Sequence, residues 1–177
     1  DGTSVAVTDL EQVLLLTPGA EGMKTISMEE DALAGSVYFY GEDLLVICDD
    51  GNLYHYDTAG NLLSRTELDV GDTFSQGVLD VEEATQANIS WTVTPDQKLV
   101  VNAFGQGNVI DCENWKVSAS VPGYQLYREA DNSFVCNGAS GIAGYPAYSL
   151  TDLLQLAQEK LGNYELTQEQ KAGYGLE

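Results

Sequence analysis

Apolar and polar positions alternate along most of this chain in short runs separated by glycine, asparagine and aspartate. That is the period-two pattern of strands with one face buried. The clearest unit predicts four strands, at residues 36–40 (SVYFY), 44–48 (LLVIC), 53–57 (LYHYD) and 62–68 (LLSRTEL). The second is apolar at nearly every position, which predicts burial on both of its faces. Asp49-Asp50-Gly51-Asn52 then supplies residues that tolerate the positive φ of a hairpin turn, and Gly41-Glu42-Asp43 and Thr58-Ala59-Gly60-Asn61 close the other two turns.

The pattern returns after an acidic connector at 69–86. Strands are predicted at 88–94 (NISWTVT), 98–104 (KLVVNAF), 108–112 (NVIDC) and 115–121 (WKVSASV), with turns at Pro95-Asp96-Gln97 and Gly105-Gln106-Gly107. A shorter round follows at 124–128, 134–136 and 141–148, and an incomplete unit precedes the first at 3–8, 13–17 and 23–28. One four-stranded meander cannot bury both of its faces alone, but stacked radially against its neighbours it can. A meander recurring every few tens of residues therefore predicts an all-β fold, antiparallel four-stranded blades of a partial β-propeller. About three and a half blades are expected over residues 1–149. The same alternation also suits a two-sheet sandwich.

From Leu150 the period becomes helical, with Leu150, Leu153, Leu154, Ala157 and Leu161 on one stripe. Ser149 or Thr151 is available as N-cap, and Gly162-Asn163 as a left-handed stop. Thr167-Gln168-Glu169-Gln170 has the spacing of a capping box and opens a second short helical turn. Residues 150–177 are thus expected to form a C-terminal helical tail packed on the propeller.

Composition narrows the function classes. Apolar residues make up 44% and charged residues 20% of 177, which is enough apolar content for a folded core. With 28 acidic against 7 basic side chains the formal net charge is −21. Nucleic acid and anionic membranes repel such a surface, so no nucleic-acid partner is expected, and a basic protein surface is the complementary one. No apolar run approaches the roughly 20 residues of a spanning helix, so no membrane insertion is expected. Cys48, Cys112 and Cys136 are far apart and sit in apolar, strand-like runs, which suits buried free thiols of a cytoplasmic protein; one disulfide with a leftover thiol is the alternative.

Two stretches resemble known families. Residues 50–63 (DGNLYHYDTAGNLL) look like the hairpin between the third and fourth strands of WD-repeat and quinoprotein-like propellers, and Gly107-Asn108-Val109-Ile110-Asp111 echoes it without the leading Asp. The tail, Leu150-Thr151-Asp152-Leu153-Leu154 with Ala157 and then 166–174 (LTQEQKAGY), is similar to the segment that ends many bacterial WD-repeat proteins. Gln168 stands where proline is usual there. The resemblance implies the C-terminal propeller part of a larger multidomain bacterial protein, which often carries an upstream ATPase, protease or TIR module. It implies a non-catalytic binding or sensor platform. The partner is then another protein or the missing remainder of its own propeller, with a homo-oligomer as a further option. The alternative is an extracytoplasmic carbohydrate- or calcium-binding domain of a surface protein.

The candidate chemistry is sparse. His55, the single histidine, lies between Tyr54 and Tyr56 in a predicted strand, with no base partner or nucleophile identifiable from sequence, so it is read as a sheet-bound side chain. Asp49, Asp50, Asn52 and Asp57 could offer oxygens to calcium but lack the spacing of a calcium loop, so turn formation is the reading adopted. Gly105–Gly107 and the 138–144 stretch lack the Lys-Ser/Thr of a phosphate loop and are read as turns. Asn88-Ile89-Ser90 fits a glycosylation sequon. Trp91, Trp115 and the tyrosines are assigned to the core. The expectation is therefore no enzyme, no cofactor, no metal and no assignable catalytic residue.

Overall fold

The computed structural model describes residues 4–17, 19, 22–28, 32–70, 89–138, 140–147 and 150–162. Among the described residues fourteen strands form four antiparallel sheets, each a meander whose spatial order follows the chain. The first holds β1 (Val5–Thr8), β2 (Gln12–Leu16) and β3 (Lys24–Ser27). The second holds β4 (Ala34–Tyr40), β5 (Asp43–Cys48), β6 (Asn52–Tyr56) and β7 (Leu62–Glu67). The third holds β8 (Ser90–Val93), β9 (Leu99–Ala103), β10 (Gln106–Asp111) and β11 (Lys116–Pro122). The fourth holds β12 (Tyr124–Arg128), β13 (Ser133–Gly138) and β14 (Gly141–Pro146).

The strands expected at 3–8, 13–17 and 23–28 pair with one another as a sheet of their own, so the four sheets hold three, four, four and three strands, with the incomplete unit first and the shorter round last. The two-sheet sandwich is set aside on the same observation. The four strands expected between 36 and 68 are all present, within about two residues at each end, the usual uncertainty of strand limits. The expected turn at Gly105-Gln106-Gly107 moves back by one residue. Ala103 pairs with Gln106, and Phe104 and Gly105 form the two-residue loop with φ of 54° and 76°. Positive φ at both loop positions matches the right-handed twist of the flanking strands. The fully buried Phe104 ring holds a bulky residue in this unfavourable region by packing. Of the connector at 69–86, only Asp69 and Val70 lie among the described residues.

The core follows from the period of two along the middle strands. On β5, Leu44, Val46 and Cys48 pack against Val13, Ile26 and Ala34, joining the first sheet to the second. Leu45 and Ile47, from the alternate positions of the same strand, pack with Leu99, Val101, Phe104 and Ile110, joining the second sheet to the third. On β9 the alternation repeats, with Leu99 and Val101 facing the second sheet and Val100 facing Val109 and Tyr124 in the third cluster. β5 and β9 are therefore buried on both sides. Full burial of each such aliphatic side chain is worth about 1.5–3 kcal/mol.

Polar pins register the sheets on one another. Thr66 on β7 donates through Oγ1 to the Trp115 carbonyl at 2.6 Å, and Trp91 on β8 donates through Nε1 to Ser36 Oγ on β4 at 3.1 Å. Asn108, wholly buried in β10, exchanges two hydrogen bonds with the Asp69 backbone, at 2.7 and 3.1 Å. These bonds satisfy buried amide and carbonyl groups that would otherwise cost about 1–3 kcal/mol each.

Residues 146–177 form a second unit. Within it α1 (Leu150–Leu161) already includes Thr151, which removes that residue from the N-cap alternatives. The helix stops as expected at Gly162, which has φ of 56° and donates its N–H to the Gln158 carbonyl at 2.8 Å. The capping box at Thr167 lies outside the described residues.

Candidate binding face

In a meander every second turn falls at the same end of the sheet. One end therefore gathers the β4–β5 turn with Glu42, the β6–β7 turn from Asp57 to Asn61, the β8–β9 turn around Asp96, the β10–β11 turn around Glu113 and the β12–β13 turn around Asp131. Their aspartates have local work. Asp57 accepts from the Asn61 amide at 2.7 Å and from its side chain at 2.8 Å. These bonds, the side-chain one first, hold its carboxyl below the usual range. Asp111 accepts from the Glu113 amide and the Asn114 side chain, at 2.9 and 2.7 Å. Asp131 pairs with Arg128 and accepts from Ser133, which lowers its carboxyl as well. Turn chemistry accounts for much of the acidic content at this end.

Between the second and third sheets this end opens into a cleft of about 430 Å³, lined by Tyr40, Asp96, Lys98, Asp111, Cys112 and Glu113 among others. Asp96 is bonded by Lys98 at 2.8 Å and by the Thr94 hydroxyl at 2.6 Å. Burial works against its charged form, but Lys98 and Thr94 outweigh it and hold the carboxyl below its ordinary value. Three carboxylates thus face one ammonium, and that ammonium is already paired. A cleft so charged favours a cationic group entering from solvent.

Behind the cleft lies an aromatic layer shared by the two sheets. Tyr38 stacks on Trp91 at 5.1 Å, Tyr40 meets Trp115 edge-on at 5.7 Å, and the His55 ring lies 3.9 Å from that of Trp115. Both tryptophans thus sit in blade-to-blade packing, as expected. His55 is 5% exposed, and its Nε2 lies 2.8 Å from Asp43 Oδ2 while Nδ1 lies 3.5 Å from Ser64 Oγ. Sequence reading placed the histidine in its strand but found neither partner. Both are cross-strand neighbours, since His55 pairs directly with Ser64 and with Leu45, two residues from Asp43. Pairing the predicted hairpins in register was the signal that could have found them. Asp, His and Ser stand in the order of a nucleophile relay. The serine contact is at the outer limit of a hydrogen bond, and the Trp115 ring lies over the imidazole, so the arrangement acts as a polar tie across β5, β6 and β7.

The proposed calcium oxygens do not converge. Asp49 accepts the Leu33 amide at 2.8 Å, and Asp50 accepts from Asn52, from Tyr54 Oη at 2.7 Å and from Arg65 at 3.2 Å. Asp57 lies at the opposite end of β6. Among the described residues no group of three or more His, Cys, Asp or Glu side chains is placed to hold a metal. Cys48 and Cys136 are buried cysteines outside any disulfide, and Cys112 is a half-buried one beside Tyr40. Asn88 of the sequon lies outside the described residues.

Four phenols are pushed up from their ordinary value, that of Tyr127 by burial and then by Asp96, Glu129 and Asp131. Burial, then the bond to Asp50, raises Tyr54; burial raises Tyr124; and the bond to Cys112, then burial, brings Tyr40 to about 12. A folded-state value above the unfolded one gives stability that is fully present below about pH 10 and is lost as pH rises through the folded values. Alkaline titration followed by circular dichroism is expected to show unfolding setting in between about pH 10 and 12. A transition complete below about pH 9 would contradict these burials.

No family model matches the sequence, and none of the curated proteins does. Solved structures do. A chain of the mitotic checkpoint complex aligns over 82% of this chain and 44% of its own length, with 16% identity and a TM-score of 0.54. The WD40 β-propeller domain of Doa1 aligns over 80% of this chain and 46% of its own, with 10% identity and a TM-score of 0.52. The protein is a partial β-propeller. Its four sheets are blades, and the resemblance noted in the 50–63 hairpin is the resemblance of fold that these structures bear out. Apo AztD from Citrobacter koseri matches too, over 83% of this chain and 42% of its own, with 14% identity and a TM-score of 0.50. The partial propeller spans less than half the length of each of these three solved chains.

Proposed function

We propose that this partial propeller is a non-catalytic binding platform whose turn-rich end takes a lysine- or arginine-rich segment of a protein partner. The observation that carries the reading is the cleft between the second and third blades. There Asp96, Asp111 and Glu113 face a single, already paired Lys98, on a chain of net charge −21. Complementary charge of this kind speeds encounter and excludes acidic partners. The propeller fold supports an interaction role, since its rigid blades hold turns at one end. The likeness of the tail to the end of bacterial WD-repeat proteins supports a place in a larger cytoplasmic protein, with the platform relaying binding to an effector domain.

Calorimetric titration with a basic peptide, against an acidic one of equal length, tests this. Binding of the basic peptide only is expected, weakening at least about tenfold between about 50 and 500 mM salt as the charges are screened. Glu113→Lys is expected to weaken it about fivefold or more without changing the melting temperature. Equal binding of both peptides, or none of the basic one, would refute the reading. A heat of binding with calcium alone would favour the surface-protein alternative instead.

A further inference from the structure

In the cleft between the second and third blades one cation is already seated. Lys98 donates through Nζ to Asp96 Oδ2 at 2.8 Å, and its side chain is 29% exposed. The other oxygen of the same carboxylate is engaged from within the turn. The Thr94 hydroxyl donates to Asp96 Oδ1 at 2.6 Å, and it is aimed there because it accepts the Lys98 backbone N–H at 3.0 Å. Thr94 is buried, and its own N–H and carbonyl close the turn on Lys98 and Gln97, at 2.8 and 2.9 Å. The turn therefore presents Asp96 with one oxygen to give. Asp111, which also lines the cleft, is engaged on both oxygens, by the Glu113 amide at 2.9 Å and the Asn114 side chain at 2.7 Å.

We propose that Lys98 marks the seat of the partner's cation, that the partner displaces it from Asp96, and that Thr94 makes this seat select lysine over arginine. The inference rests on the basic-partner reading and narrows it. An ammonium is a point charge that one carboxylate oxygen can hold, so an incoming lysine replaces Lys98 like for like. A guanidinium draws its advantage from two parallel bonds to both oxygens. To form them here an arginine must also break the Thr94 bond. That leaves a buried hydroxyl with only the Lys98 carbonyl, at 3.2 Å, and a buried donor deprived of its acceptor is costly. Lys98 itself can leave, because its flexible stem carries the ammonium out to water. It acts as a tethered competitor, lowering the affinity of any partner that cannot outbid it.

Calorimetric titration of the 177-residue chain with two peptides of equal length and charge, one of lysine and glycine and one of arginine and glycine, tests this. The lysine peptide is expected to bind about threefold or more tighter. Lys98→Met, which vacates Asp96 Oδ2, should tighten the lysine peptide about tenfold. Lys24→Met, an equal change of net charge on the first blade, should alter it less than about twofold. Thr94→Val should bring the arginine peptide level with the lysine one, and Thr94→Ser, which restores the hydroxyl, should keep the lysine preference. Should Thr94→Val fail to fold, Thr94→Ser and the two lysine variants still decide. Arginine binding as tightly as lysine to the unaltered chain would put the cation on Glu113 instead, and would overturn the proposal with the basic-partner reading intact. Lys98→Met binding no tighter than Lys24→Met would overturn it as well. Binding of neither peptide would sink both readings.

Discussion

Leu45→Ala is expected to lower the stability of the chain by about 2–5 kcal/mol, the cost of a large-to-small change at a site that cannot collapse. Leu45 is wholly buried between the second and third blades, among Leu99, Val101 and Ile110. Its neighbour Leu44, equally buried, faces the first blade instead, so Leu44→Ala should cost a similar amount at a different seam. Urea titration measures both losses. Hydrogen exchange separates them: Leu45→Ala should release amides of β9 and β10, and Leu44→Ala those of β2. Equal exchange patterns would mean that the blades do not pack as separate seams. Since a whole domain is held by only about 5–15 kcal/mol, either substitution removes a large share.

Gly107→Ala is expected to be nearly as damaging, though nothing in the sequence marks that glycine apart from other turn glycines. Its backbone φ lies outside the left-handed region, so conformational freedom is not what it supplies. A Cβ built at residue 107 would stand 2.6 Å from Cγ and 2.7 Å from Cβ of Tyr124, the residue that opens the fourth blade. Those atoms lie at the base of a buried ring and cannot swing aside, so the fourth blade must shift from the third. Overpacking of this kind costs about 1–3 kcal/mol. Loss of near-ultraviolet signal from Tyr124 and Phe134, with the signal of Trp91 and Trp115 kept, would locate the damage at that seam. A fully native melting curve would show that Tyr124 can rearrange.

Strand position was legible where the physics was local. LLVIC at 44–48 announced a strand buried on both faces, and β5 is one, because a middle strand between two blades has no polar side to display. The turn at Asp49-Asp50-Gly51 was legible for the same reason, since Gly51 has φ of 78° there. The loop after Ala103 was misread by one residue, because Phe104 in a left-handed conformation contradicts its own propensity and is held there by burial. The incomplete first unit expected from the sequence is a sheet of three strands, β1 to β3. The partners of His55 stayed hidden since Asp43 and Ser64 meet it only through cross-strand register, and the cleft lining comes from turns separated by some 70 residues.

The sequence by itself determined the period of two, the meander, the helical tail, the acidic surface and the burial of LLVIC and its counterpart at 98–104, because each depends on neighbours within one hairpin. Only the tertiary structure decided which face of each strand meets which blade, and that Asp43, His55 and Ser64 share one side. Those depend on stacking between sheets, where a side chain's partner is set by three-dimensional register and not by distance along the chain.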